Sequence, residues 1–369
     1  MKKQKTKLNM NSNYLNKKIC QQFSTLNYSK PIKIIDPYYI SGLTQADGSF
    51  FCSIEKINKK DHPNSKGLTF TPIFDITLDL DSKFTLDQIQ SYFGCGKVIT
   101  KLSDNTVRYR VINRKDLVNI IIPHFKTYPV FFNKLHAFNL FSKILELLSP
   151  VLLPVVLPNK KQRSGERDLK RILTLSVSMN LASRRTDKDI LELSQILGLS
   201  SNEPIKKIPY TICNITSEFN PGFLAGLIDG DGSFNISFPQ NLETGKIKPV
   251  LSLCLGKNAA SQFFKEIKIY LGASGVLSQS KSIFILKISY LDDLIKYVIP
   301  FIDNNPLLTK KKDHYEIWKE VCFILKADKI LTKEIYLKIV ELAYNMNKGG
   351  KRRKITKEEY IKVINSFYG

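Results

Sequence analysis

The chain has 369 residues, 43% of them apolar, with 56 Lys and Arg against 33 Asp and Glu, for a net charge of +23. That length suits two domains or one large one, and the apolar share excludes a disordered chain. The charge points to a polyanionic partner, nucleic acid ahead of an anionic membrane surface.

In chain order, residues 1–35 carry eight Lys and no acid. They read as an organellar leader or as a basic disordered tail. A short apolar helix is expected at 38–46, running into an alternating strand at 48–56. A second strand follows at 68–80, with Phe74, Ile76, Leu78 and Leu80 on one face. A helix at 82–93 stops at Gly94, a hairpin covers 96–102 and 106–113, and helices follow at 114–122 and 132–148. The order then returns: helix 221–230, strands 232–239 and 247–256, helix 258–271 stopped by Gly272, hairpin 275–280 with 283–289, and helices 291–299 and 311–327. Each set makes an α+β unit, αββαββα, with one four-stranded antiparallel sheet and helices on one face.

The two sets are copies. YISGLTQADGSF at 39–50 matches FLAGLIDGDGSF at 223–234 at an offset of 184, and Lys134 matches Lys311 at an offset of 177. Further matches at 177 include Arg110 with Lys287 and Pro123 with Pro300. Met179-Asn180 then matches Met346-Asn347, and Arg184-Arg185 matches Arg352-Arg353, at offsets near 167. Steps in the offset are what loops of unequal length produce. The expected organisation is a tail at 1–35, a first repeat at 36–198, a linker at 199–217 and a second repeat at 218–369.

Gly42 and Ala46, like Gly226 and Gly230, are small residues four apart. They give each motif helix a narrow stripe on which two backbones can approach closely. Asp47 and Asp231 then fall at helix C-termini, where the macrodipole is already negative. Two carboxylates meeting at two such ends call for a hard divalent cation, Mg²⁺ above all. Taken singly, Asp-Gly-Ser also reads as a plain helix-ending turn, with Gly48 and Gly232 in the left-handed region. Its recurrence in both copies favours the cation.

At these residues the chain resembles the LAGLIDADG homing endonucleases in their single-chain, two-motif form. FLAGLIDGDG at 223–232 is a near-complete signature. ISGLTQADG at 40–48 is a partial one, with Thr44 and Gln45 in place of an apolar residue and an acid. The resemblance implies a monomeric, organellar, intron-encoded enzyme that cuts both strands of duplex DNA. Asp47 and Asp231, helped by the carbonyls of Ala46 and Gly230, would hold the metal. Lys134 and Lys311 are the candidates to offset charge at the scissile phosphates. A mitochondrial origin also suits the heavy use of Lys, Asn, Ile, Tyr and Phe.

Strand alternation independently outlines a DNA-facing surface. It comprises Ser49, Ser53, Lys97, Lys101, Arg108 and Arg110 in the first copy, and Ser233, Asn235, Ser237 and Lys287 in the second. Two other readings remain open at this point: a group I intron RNA maturase, and a DNA-binding protein that has lost cleavage. No Cys pair has C-x-x-C spacing among the six Cys, and there are only four His, so zinc and disulfide frameworks are not expected. The longest apolar run, 147–158, is too short and proline-rich to span a membrane.

Overall fold

The computed structural model describes residues 35–58, 66–148, 166–179, 185–199, 205–210, 220–243, 245–256, 261–272, 274–279, 283–328, 330–347 and 353–369. Most of the expected linker lies outside them, as do Asn180, Arg184 and Arg352. The N-terminal 34 residues lie outside them as well.

The first helix, α1 (Pro37–Asp47), starts where Asp36 caps it, accepting from Tyr38 N at 2.8 Å with Pro37 in the first turn. It passes without a loop into β1 (Gly48–Lys56), followed by β2 (Leu68–Asp79), α2 (Lys83–Phe93), β3 (Lys97–Lys101) and β4 (Thr106–Val111). The strands pair antiparallel in the order β1-β2-β4-β3. Helices α3 (Phe132–Leu148), α4 (Glu166–Ser178) and α5 (Asp187–Ile196) follow.

The second set repeats this: α6 (Pro221–Asp231), β5 (Gly232–Ser237), β6 (Lys248–Gly256), α7 (Ser261–Tyr270), β7 (Val276–Gln279) and β8 (Ile283–Ile288), in the order β5-β6-β8-β7. Helices α8 (Lys311–Ala327), α9 (Lys333–Tyr344) and α10 (Lys357–Tyr368) complete it. Gly94 and Gly272, at φ +64° and +61°, end α2 and follow α7 in the left-handed conformation expected of stop signals.

Each sheet buries one face under its helices. Phe50 stacks on Phe74 at 5.1 Å and meets Phe125 edge-on at 5.0 Å, while Phe234 packs against Trp318 at 5.2 Å. β1 alternates as expected, with Phe50 and Cys52 buried and Ser49 and Ser53 on the other face. Leu80 is not on the strand, because the chain turns into a short 3₁₀ segment there. The helices expected to stop at 122 and 299 instead run on to Thr127 and Asn304 through π turns at Leu117–Ile121 and Leu294–Val298. In both copies the π turn sits just before an Ile-Pro pair, where proline's missing N–H breaks the regular ladder.

Edge strand β5 is covered by the segment that carries Met346-Asn347 and Arg353. Asn347 donates to Phe234 O at 3.0 Å and Arg353 to Ile236 O at 3.1 Å, which satisfies outer carbonyls of β5. Arg353 also lies over the rings of Phe238 and Tyr344, 5.0 and 4.7 Å from their centroids. Lys56 on β1 pairs with Glu192 of α5 at 2.5 Å.

The small-residue stripes bring α1 and α6 into backbone contact. A Cβ on Gly42 would stand 1.9 Å from Phe223 O, and one on Gly226 would stand 2.1 Å from Tyr39 O. Gly42→Ala should therefore force the helices apart and lower stability by about 3 kcal/mol, the upper end for overpacking. Gly256→Ala, into open space, should change little. Paired thermal melts check both.

The halves also exchange side chains. Phe131 and Phe132 of the first copy pack on Phe223 and Phe263 of the second, with ring centroids 4.9 Å apart in each case. In return Thr85 donates to Leu308 O at 2.7 Å, and Lys310 N donates to Ser82 Oγ at 3.2 Å.

Candidate active site and nucleic-acid interface

Gly48 and Gly232 are extended, with φ −85° and −73°, so the Asp-Gly-Ser turn with a left-handed glycine does not form. They are glycine for another reason. Cβ atoms there would stand 2.5 Å from Thr44 Cγ2 and 2.4 Å from Ile228 O. Helix thus changes to strand at Asp47 and Asp231 with no intervening loop. Both carboxylates come to the same end of the α1–α6 pair, where Gly230 lies against Ala46 and Asp47.

The electrostatics of this pair are strained. Burial, then the charge of Asp47, pushes the Asp231 carboxyl up to about 6, while Lys311 and Lys134 pull it back. Burial raises Asp47 as well, opposed first by Lys311 and then by Lys134. Both ammonium groups are lowered by burial and held up by the carboxylates. Asp231 acts most strongly on Lys134, and Asp229 followed by Asp47 on Lys311. Each lysine therefore feels acids of the opposite copy.

The lysines already occupy main-chain oxygens. Lys311 Nζ donates to Gly230 O at 2.5 Å and to Ile228 O at 3.2 Å, and Lys134 Nζ donates to Gly48 O. The Gly230 carbonyl, expected among the metal-holding groups, thus holds a cation of the chain's own.

Two further residues support the site. Asp229, 2% exposed, accepts from Tyr39 OH at 2.5 Å, from Leu308 N at 2.6 Å, from Thr309 N at 2.9 Å and from the Thr309 hydroxyl. Its counterpart Gln45 accepts from Phe131 N at 2.7 Å. Phe131 and Leu308 are themselves counterparts at the 177 offset. The departure at Gln45 therefore keeps the bond and drops the charge. Both residues fix the segment leading to the lysine-bearing helix. Asp229→Ala should leave several buried donors unpaired and cost about 3 kcal/mol or more, whereas Asp229→Asn should cost less. Denaturant unfolding of the two variants checks this.

The open faces of the sheets carry the expected DNA-facing residues, apart from the two carboxylates and lysines. Register puts Ser49, Asp75, Arg110 and Lys97 in one row across the first sheet, and Ser233, Ser252, Lys287 and Val276 in the matching row of the second. Asp75 is buried and pairs with Arg110 at 2.8 Å, with Arg108 Nε at 3.7 Å. Lys101 pairs with Asp104 at the exposed tip, Ser53 leans on Glu55 at 3.2 Å, and Asn235 donates to Ser233 Oγ at 2.9 Å. Ser237 is exposed. The first face is basic as expected. The second is mostly neutral among the described residues.

Two four-stranded sheets joined through glycine-lined helices that each end in an acid define the single-chain two-motif class. The sequence matches the LAGLIDADG endonuclease family over residues 40–145 and 224–322, more than half of the chain, and the protein belongs to that family. A "Probable intron-encoded endonuclease 2" of Neurospora crassa is 27% identical over 84% of this chain, which spans 64% of that relative's length. A "Probable intron-encoded DNA endonuclease 1" of Mycosarcoma maydis is 26% identical over 75% of this chain and 96% of its own. The I-SmaMI LAGLIDADG homing endonuclease bound to cleaved DNA superposes with a TM-score of 0.72 at 25% identity, covering 85% of this chain and 97% of that one.

Among the described residues the four cysteines are free, no helix is long and apolar enough to cross a membrane, and no group of three metal-ligating side chains occurs.

Proposed function

We propose that the chain is a site-specific endonuclease that cuts both strands of duplex DNA by phosphodiester hydrolysis with Mg²⁺. The observation that carries this reading is the convergence of Asp47 and Asp231 at two helix C-termini, each carboxyl raised by burial. Such a pair suits a hard cation that takes oxygen ligands, with DNA phosphate oxygens completing a shell that two side chains leave open. Asp47 and Asp231 would hold it, with the Ala46 and Gly230 carbonyls beside them. Bound Mg²⁺ supplies Lewis-acid stabilisation of phosphate charge and lowers the pKa of water.

The chain's own residues do the rest. The carboxylates fix where the scissile bonds lie. Lys134 and Lys311, beside those acids, are placed to offset the charge that builds on the phosphates. The open sheet faces position the duplex across both halves.

Both halves lie in one chain, which favours a monomer, and the intron-encoded relatives together with the composition favour a mitochondrial origin. The test begins with targets selected from random duplexes. The expected result is Mg²⁺-dependent linearisation of a plasmid carrying such a target, by a species that sediments as a monomer. Selective binding of structured RNA with no cleavage of any duplex would replace this reading with the maturase one.

A further inference from the structure

The two open sheet faces have diverged in chemistry, and on the reading of the chain as a duplex endonuclease that divergence describes the target. The registers let the faces be compared row by row. In the row nearest the motif, Asp75, Arg110 and Lys97 on the first sheet stand where Ser252, Lys287 and Val276 stand on the second. In the next row, Thr77, Arg108 and Ile99 face Cys254, Ile285 and Ser278. One row further, Asp79 and Thr106 correspond to Gly256 and Ile283. Cations thus give way to aliphatic side chains at two places, Lys97 to Val276 and Arg108 to Ile285, and a polar Thr106 gives way to Ile283.

We propose that the halves read chemically different half-sites, the first guanine-bearing and the second thymine-rich. The guanine side follows from Asp75. It holds Arg110 at 2.8 Å, while Thr77 Oγ1 takes Arg108 Nε at 3.0 Å, so both guanidinium groups are oriented before DNA arrives. A preset guanidinium matches the paired acceptors O6 and N7 that guanine shows in the major groove. The thymine side follows from Val276, 67% exposed, and from Ile283 and Ile285, which are half-buried on a face that no described helix covers. Aliphatic side chains offer no hydrogen bond to a base edge. The one apolar group in the major groove is the thymine methyl. Lys287 and Lys248, both exposed, are the described cations left on the strands of this face.

The test uses the full-length protein and targets recovered from a random duplex library in Ca²⁺. Deoxyuridine replaces thymidine in one half at a time, which removes methyl groups and nothing else. Substitution in the half read by the second copy should weaken binding about tenfold or more, and in the other half less than twofold. Ile285→Ser, on the open face of its strand, should cut the uridine effect severalfold with an unchanged melting midpoint. Arg108→Ala with Arg110→Ala should relax the guanine preference at the opposite end, which assigns the halves. Equal uridine effects in both halves, or an effect left unchanged by Ile285→Ser, would overturn the half-site assignment while leaving the nuclease reading intact. A library that yields no enriched duplex would overturn duplex recognition, and this inference with it.

Discussion

Asp47→Asn and Asp231→Asn are each expected to abolish double-strand cleavage while leaving duplex binding in place. Asparagine keeps the shape but not the anionic oxygen that Mg²⁺ requires. Stability should move the other way. Both acids sit against a negative helix end, and both are raised by burial, so the metal-free protein carries their charges at a cost. Relief at the helix end alone should raise stability by roughly 0.3–1 kcal/mol near neutral pH, and relief of the buried charge adds to it. The two variants need not be identical, because Lys311 holds Gly230 O whereas Lys134 holds Gly48 O. One of them could retain nicking of a single strand. Plasmid cleavage in Mg²⁺, a gel shift in Ca²⁺ and a thermal melt measure the three properties. Full cleavage by either variant would sink the metal-holding role, and joint loss of binding and stability would make the acids structural.

The second large effect is on pH. The Asp231 carboxyl is raised to about 6 in the folded chain, against 3.8 for an ordinary aspartate. Between those values the folded state holds a proton that the unfolded state has released. Stability of the metal-free protein should therefore fall as pH rises from about 4 to about 6 and level off above, by up to roughly 3 kcal/mol from this group. Asp47 is shifted in the same direction and adds to the slope. Mg²⁺ competes with that proton, so its stabilising effect should be small at pH 5 and large at pH 8. Cleavage should rise through about pH 6 on the same grounds. Melts across this range with and without Mg²⁺ check the sign, and Asp231→Asn should flatten the metal-free slope. A stability that climbs from pH 4 to pH 6 would contradict the buried, repelled carboxyl.

The architecture was readable because duplication turns weak local signals into a coincidence that chance does not make. Period-two strands, glycine stops and two small-residue stripes each recur at matching places, and the structure has them there. The place of the two acids at helix ends was readable from the same recurrence. What stayed hidden depends on contacts across long stretches of chain. Asp229 gains its role from Leu308 and Thr309, and the match of Gln45 with Asp229 only hinted at it. Asp75 stands out as an acid between Phe74 and Ile76, yet its meaning lies in Arg110 on a neighbouring strand. The use of the Met-Asn repeat to seal a sheet edge needed the position of Asn347 beside Phe234. The π turns could be anticipated from neither periodicity nor propensity, since both describe the ordinary helix.

The aromatic pair that the first half lends to the second has an evolutionary side. Phe131 and Phe132 fill space beside Phe223 and Phe263, whereas the corresponding Leu308 and Thr309 offer the first half a carbonyl for Thr85 and turn their backbone N–H groups to Asp229 of their own half. A gene encoding either half alone would make a protein whose only available mate is a copy of itself. Two first halves would each present a bulky aromatic pair, and two second halves would each lack one. The halves are in this sense a lock and a key cut from one blank, and hybrids made by exchanging halves with a relative would need to carry residues 131–132 and their ring partners together.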